Sequence, residues 1–256
     1  MYLMPSPATP PVTRYWEIDL FRGTAVVMMV IFHTVFDLSF FSILPINVSY
    51  GFWRYFAIVT AFIFIFLVGT SLNISHFRTL PRIDSGMYRK YLIRGSEILG
   101  IGFAITAVTY FVVGEGFIVF GVLHCIGASI LIAPVFFGRP KITLLAASLL
   151  LAGGFLISRI SGPVWFAWAG IHPVYFYTLD YFPLIPWLGV VLLGLTTGTY
   201  LYPEGKRVLS LSNRPPRCTG LVCWMGRHSL VLYLVHQPVI LIVLAIVFPG
   251  FIWIFP

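Results

Sequence analysis

A chain of 256 residues that is 59% hydrophobic and 9% charged, with a mean hydropathy of +0.95, falls far below the roughly 25% charged residues of soluble domains. Water is thereby excluded as its main solvent. Its net charge of +8, from 16 basic and 8 acidic residues, reads as membrane topology and attraction to anionic lipid, and nucleic acid is not an expected partner.

Along the chain, the first fifteen residues hold Pro5, Pro7, Pro10 and Pro11 but no basic region leading into a short apolar stretch, so no signal peptide is expected. A helix crossing a bilayer core needs about 20 apolar residues. Seven stretches approach that length: 24–44, 55–74, 91–113, 117–137, 142–158, 184–202 and 229–249, the fifth being the shortest. They are continuously apolar, without the alternation of barrel strands, which predicts an all-α polytopic membrane bundle of about seven transmembrane helices. With no repeat or long linker, residues 1–256 are expected to form a single transmembrane domain.

The basic residues orient the bundle. With residue 1 in the cytosol, fourteen of the sixteen fall inside and only Arg54 and Arg159 outside. The N-terminus is therefore expected in the cytosol and the C-terminus outside, in the plasma (cell) membrane. The stretch 164–179, VWFAWAGIHPVYFYTL, would turn the basic 203–217 loop outward if it crossed. It is read as re-entrant or interfacial, its Trp and Tyr suiting the headgroup level.

Ionisable groups at membrane depth are costly and usually line a site. His33, His124 and His236 all fall near the middle of their spans, and Asp37 follows His33 by four residues, on the same helix face. A carboxylate there is expected to orient the imidazole and raise its basicity. On the last span Ser229, Tyr233, His236 and Gln237 make one polar stripe facing the bundle interior. Helix-packing hydrogen bonds are the competing reading for these groups. Arg54 and Asp180 stand at outer span ends as substrate-binding candidates, ahead of Arg159, His172 and Glu115. At the inner end Arg78, Arg82, Arg89, Lys90, Arg94 and Arg227 crowd together. Arg94 and Arg227 are the better placed of these for phosphates, and Glu97 is expected to pair with Arg94. The chain has no GxxxxGK[ST] loop, HExxH helix or GxSxG elbow, and no short ligand spacing that supports a metal among the three histidines.

The segment EIDLFRGTAVVMMVIFH at 17–33 resembles the first span of the family containing heparan-alpha-glucosaminide N-acetyltransferase, within the wider transmembrane acyltransferase group. Further similar stretches are FIFIFLVGTSLNIS at 62–75, YLIRGSEILG at 91–100, GVLHCIGASIL at 121–131, DYFPLIPWLGVVLLG at 180–194 and GRHSLVLYLVHQP at 226–238. The resemblance implies transfer of an acetyl group from cytosolic acetyl-CoA to a sugar or glycolipid acceptor on the outer side. It implies His33 as general base, while depth, spacing and span-end position put Asp37 and His236 beside it and His124, Gln237, Tyr233, Arg54 and Asp180 toward substrate. Arg22, matched by the family pattern with Asp19 and Gly23, is expected to be structural or to join Arg94 and Arg227, placed at inner span ends, toward CoA. Membrane lipids are the remaining expected partners, and the reading leaves room for a homo-oligomer. One departure stands out: the essential histidine of the animal lysosomal enzymes lies beyond the first span, and residues 38–53 here contain no His. Two rival classes remain: a transporter or flippase with a His/Asp relay, and an assembly partner that binds no CoA.

Overall fold

The computed structural model describes residues 14–79 and 87–248. Pro5, Pro7, Pro10, Pro11, Arg82 and the chain end at Pro256 lie outside the described residues. Eight α-helices form among them: α1 Trp16–Phe40, α2 Gly51–Thr79, α3 Met87–Val112, α4 Val122–Ile132, α5 Pro140–Ile157, α6 Leu184–Leu201, α7 Gly220–Arg227 and α8 Ser229–Val247. Six of them, α1, α2, α3, α5, α6 and α8, are long and apolar enough to cross a membrane. The chain is a polytopic helical membrane protein, and no strand forms among the described residues, only two isolated bridges.

The expected fourth span is the short one. Residues 117–121 are not helical, and α4 runs into a 3-10 turn, Ala133–Phe136, so the apolar helix spans only Val122–Phe136. The backbone of the missing part bonds sideways instead. Thr178 Oγ1 donates to Phe117 O at 2.7 Å, and the N–H groups of Leu179 and Phe182 donate to Gly116 O and Phe120 O, each at 2.9 Å. The fifth stretch, the shortest in sequence, is a regular 18-residue helix opened by Pro140, whose fixed φ suits a first helical position. Segment 164–179 is no crossing. It holds a six-residue 3-10 helix, Val164–Ala169, ended by Gly170 at φ 101°, and it exposes Trp165, Tyr175 and Tyr177.

Helix α6 is the most buried of the long helices and packs between α2 and α5. Glycine allows the α2–α6 contact: a Cβ on Gly69 would lie 1.9 Å from Val191 O, and one on Gly194 2.0 Å from Phe66 O. Backbones this close gain dispersion contacts along their length, the usual way small residues join helices in lipid.

At the basic end of the bundle the helix ends meet through polar contacts. Arg207 reaches Glu17 at 3.1 Å with both side chains 9% exposed; Tyr202 OH donates to Glu17 Oε1 at 3.1 Å, and Tyr15 OH to Gly205 O at 2.7 Å. Burial and the Glu17 carboxylate together hold the Tyr202 hydroxyl well above the usual phenol range. These bonds strap the loop after α6 onto the start of α1. Breaking such a buried pair from one side typically costs about 3–5 kcal/mol.

Candidate active site

Two segments about two hundred positions apart meet along α1. A Cβ on Gly23 would lie 1.9 Å from Val222 O, and one on Gly226 1.8 Å from Asp19 O, so α7 rests directly on the first turns of α1. Further along, α8 takes over: the rings of His33 and His236 stand edge to face with centroids 4.7 Å apart. One turn on, Gln237 Nε2 donates to both carboxylate oxygens of Asp37 at 2.9 Å.

At the basic end of this seam lies a cavity of about 590 Å³ lined by Arg14, Tyr15, Ile18, Asp19, Arg22, Ser71, Ile74, Ser75, Arg78, Thr79, Lys90 and Arg227. Five cations face one carboxylate there, a surplus suited to a polyanion. Two of the cations are fixed by hydroxyls of α2. Arg22 Nη2 donates to Ser71 Oγ at 2.7 Å, and its Nη1 lies 3.7 Å from Asp19. Lys90 Nζ donates to Ser75 Oγ at 2.7 Å and Thr79 Oγ1 at 2.8 Å.

His33 follows Arg22 by eleven residues, about 16 Å along a helix. Its Nδ1 lies 2.9 Å from Met29 O, and that of His236 lies 2.6 Å from Tyr233 O. A carbonyl only accepts, so in both rings Nδ1 carries the proton and Nε2 keeps its lone pair. His236 Nε2 and Gln237 Oε1 are buried without a partner. Because Gln237 turns its amide N–H toward Asp37, its carbonyl is left facing elsewhere. The seam thus presents bare acceptors, which suits a ligand that brings hydrogens or a group about to lose one.

Asp37 does not orient His33 directly, contrary to the expectation from their spacing. Its carboxylate, 2% exposed as part of the residue, is turned across to Gln237 on α8, and the His33 ring is oriented by the Met29 carbonyl of its own helix. Asp37 and His33 share a helix face, but the ring's Nδ1–H is spent on the Met29 carbonyl, and the carboxylate takes its hydrogen bonds from the amide opposite.

His124 occupies a different environment. Gly121 N–H donates to its Nδ1 at 3.2 Å, and its Nε2 lies 3.3 Å from Thr106 Oγ1, whose own proton goes to Ile118 O at 2.7 Å. Both ring nitrogens are used in capping α4 and tying it to α3. Asp180 caps the same helix start, accepting from Val122 N–H at 3.0 Å, and burial pushes its carboxyl up to about 6. Tyr233 packs against the core, its ring 5.6 Å from that of His236. Arg54 is exposed in the first turn of α2. Arg94 is not among the cavity-lining residues: it pairs with Glu97 at 3.5 Å on an exposed face of α3.

The sequence reading did not single out Ser71, Ser75 or Thr79. Their spacing of four along an otherwise apolar helix, ending at the basic end, was the available signal. A second cavity of about 380 Å³ lies beyond Asp37, lined by Ser39, Pro45, Ile46, Asn47, Val48 and Ser49.

Comparison with curated proteins gives no match, and neither does comparison with solved structures. The family model described as "Heparan-alpha-glucosaminide N-acetyltransferase, catalytic" matches residues 14–238. That match runs from the first described residue of the basic cavity to one position past Gln237, covering the whole seam. The chain belongs to the heparan-alpha-glucosaminide N-acetyltransferase catalytic family, and its function is of the membrane acetyltransferase type.

Proposed function

We propose that the chain, acting as one catalytic domain, moves an acetyl group from acetyl-CoA on the cytosolic side to a glycan or glycolipid acceptor on the outer side of the cell membrane. The observation that carries this reading is the order of features along α1: the cationic cavity around Arg22, the His33–His236 pair, then Asp37–Gln237 and the outer cavity at Ser39. A CoA molecule held by its phosphates at the basic end would run its pantetheine arm toward the histidines, and an acceptor approaching from the other end would meet it there.

In the chemical step the acceptor's amine or hydroxyl attacks the thioester carbonyl, His33 Nε2 takes the proton it loses, and the C–S bond breaks. The proton then passes from His33 to the departing CoA thiolate. The fixed Nδ1–H···O bond to Met29 leaves Nε2 as the working nitrogen in any case. The same atom would attack the thioester in a two-step route through an acetyl-imidazole. His236, edge-on to His33, and Gln237 would receive the acceptor's remaining hydrogens.

The test is turnover by purified protein in liposomes supplied with acetyl-CoA and an amino sugar on opposite faces. CoA release that depends on the acceptor, with acetyl recovered on it, supports the reading. Passage of solute without CoA release would favour a transporter instead. A reporter fused after Pro256 that reports from the cytosol would overturn the proposed orientation.

A further inference from the structure

We infer that the basic cavity has two phosphate subsites at different depths, the deeper centred on Arg22 and the shallower on Lys90, and that Lys90 recognises the ribose 3′-phosphate of CoA. This rests on the proposed use of a CoA donor. Helix α2 runs toward the basic end, so Ser71, Ser75 and Thr79 mark successively shallower levels, each about 6 Å from the last. Arg22 of α1 is bound to Ser71, and Lys90 of α3 is bound to Ser75 and Thr79. Two cations from different helices are therefore anchored to one hydroxyl stripe at a fixed axial separation. Lys90 has three ammonium hydrogens, two of them committed to the stripe, and its hydroxyl partners hold it in the cavity wall.

A ligand with a single phosphate cluster would use one level only. CoA carries two clusters flanking a ribose, and its pantetheine arm leaves from the 5′-diphosphate. Because His33 lies deeper along α1 than Arg22, the diphosphate belongs at the deeper level, beside the guanidinium held on Ser71. The 3′-phosphate then falls at the shallower one.

The inference is tested by ligand-dependent thermal stability of the purified full-length chain in neutral detergent, titrated with CoA and with dephospho-CoA, which lacks only the 3′-phosphate. Wild type should bind CoA about tenfold or more tighter than dephospho-CoA, the scale of one charge-assisted phosphate contact. In Lys90→Gln that preference should collapse while dephospho-CoA affinity stays near wild type, and Lys90→Arg should restore much of it. Ser75→Ala, which frees the ammonium without removing it, should reduce the preference partway and serves as the second readout should Lys90→Gln melt early. Adenosine 3′,5′-bisphosphate should compete better than ADP.

Equal binding of CoA and dephospho-CoA by wild type, or an undiminished preference in Lys90→Gln, overturns the two-level assignment while leaving the donor reading intact. No stabilisation by any CoA species overturns the donor reading itself. A parallel titration in nanodiscs of phosphatidylglycerol or phosphatidylcholine separates a lipid headgroup from a soluble ligand. Stabilisation that follows phosphatidylglycerol and is not displaced by CoA assigns the levels to lipid and overturns the inference.

Discussion

His124 and His236 both sit on strongly apolar helices, and their surroundings are opposite. His124 is 1% exposed with each ring nitrogen engaged, one by a backbone N–H and one by a hydroxyl already spending its proton elsewhere. His236 uses Nδ1 on a carbonyl of its own helix and leaves Nε2 buried and unpartnered against His33. A closed hydrogen-bond circuit stabilises a fold, whereas an open lone pair at the same kind of depth raises its energy and suits chemistry. Hydropathy cannot tell these two apart. Hydrogen-bond closure can.

The comparison breaks most visibly at His33, the partner of the open site. His33→Ala is expected to lower acetyl transfer by about 10²–10⁴-fold with CoA affinity near wild type, measured as single-turnover rate and ligand-induced stabilisation on the same preparation. A variant that transfers at close to the wild-type rate would move the chemistry off this histidine, and His236→Ala would then be the next measurement.

His124→Leu should show the reverse pattern. It leaves the Gly121 N–H without its acceptor and the Thr106 hydroxyl without its donor, at about 1–3 kcal/mol for each buried group. The melting temperature should fall while the rate per folded molecule stays near wild type. A rate loss without a stability loss would place His124 in the active site after all.

Asp37→Asn sharpens the contrast from the side of the open site. Since the carboxylate holds Gln237 rather than His33, an amide oxygen in its place still accepts that bond. The expected rate loss is therefore smaller than for His33→Ala, on the order of tenfold, and the pH–rate profile should keep its shape. A profile displaced by this change would show that the carboxylate acts on the imidazole from a distance.

The smallest effect is expected at Asp180, which shares the closed region with His124 and lies in the connection before α6, outside the spanning helices. Burial raises its folded pKa from 3.8 to about 6. Between those values the unfolded chain holds fewer protons than the folded one, so this group's stabilisation is complete below about 4 and is lost as pH rises through about 6. Melting temperature should decline over that window in wild type, and Asp180→Asn, which keeps an acceptor for Val122 N–H, should remove that part of the slope.

Much of the architecture was readable without coordinates because it follows from one-dimensional quantities. Charge scarcity and continuous apolar runs require membrane helices, since lipid leaves no other way to satisfy the backbone. The placement of Arg and Lys at alternate helix ends follows from the same hydropathy pattern, and the Arg94–Glu97 pair from helical spacing alone. The polar residues of α1 and α8 could be named because ionisable groups in lipid are conspicuous. Tertiary structure decided what they do. Whether Asp37 turns to His33 or across to Gln237, whether His124 is sealed by Gly121 and Thr106, and whether Arg94 or Lys90 reaches the cavity depend on which helix faces which. The short α4 was hidden for the same reason: residues 117–121 are apolar enough for a helix, but their backbone groups bond to 178–182, a partner some sixty positions away that no local pattern announces.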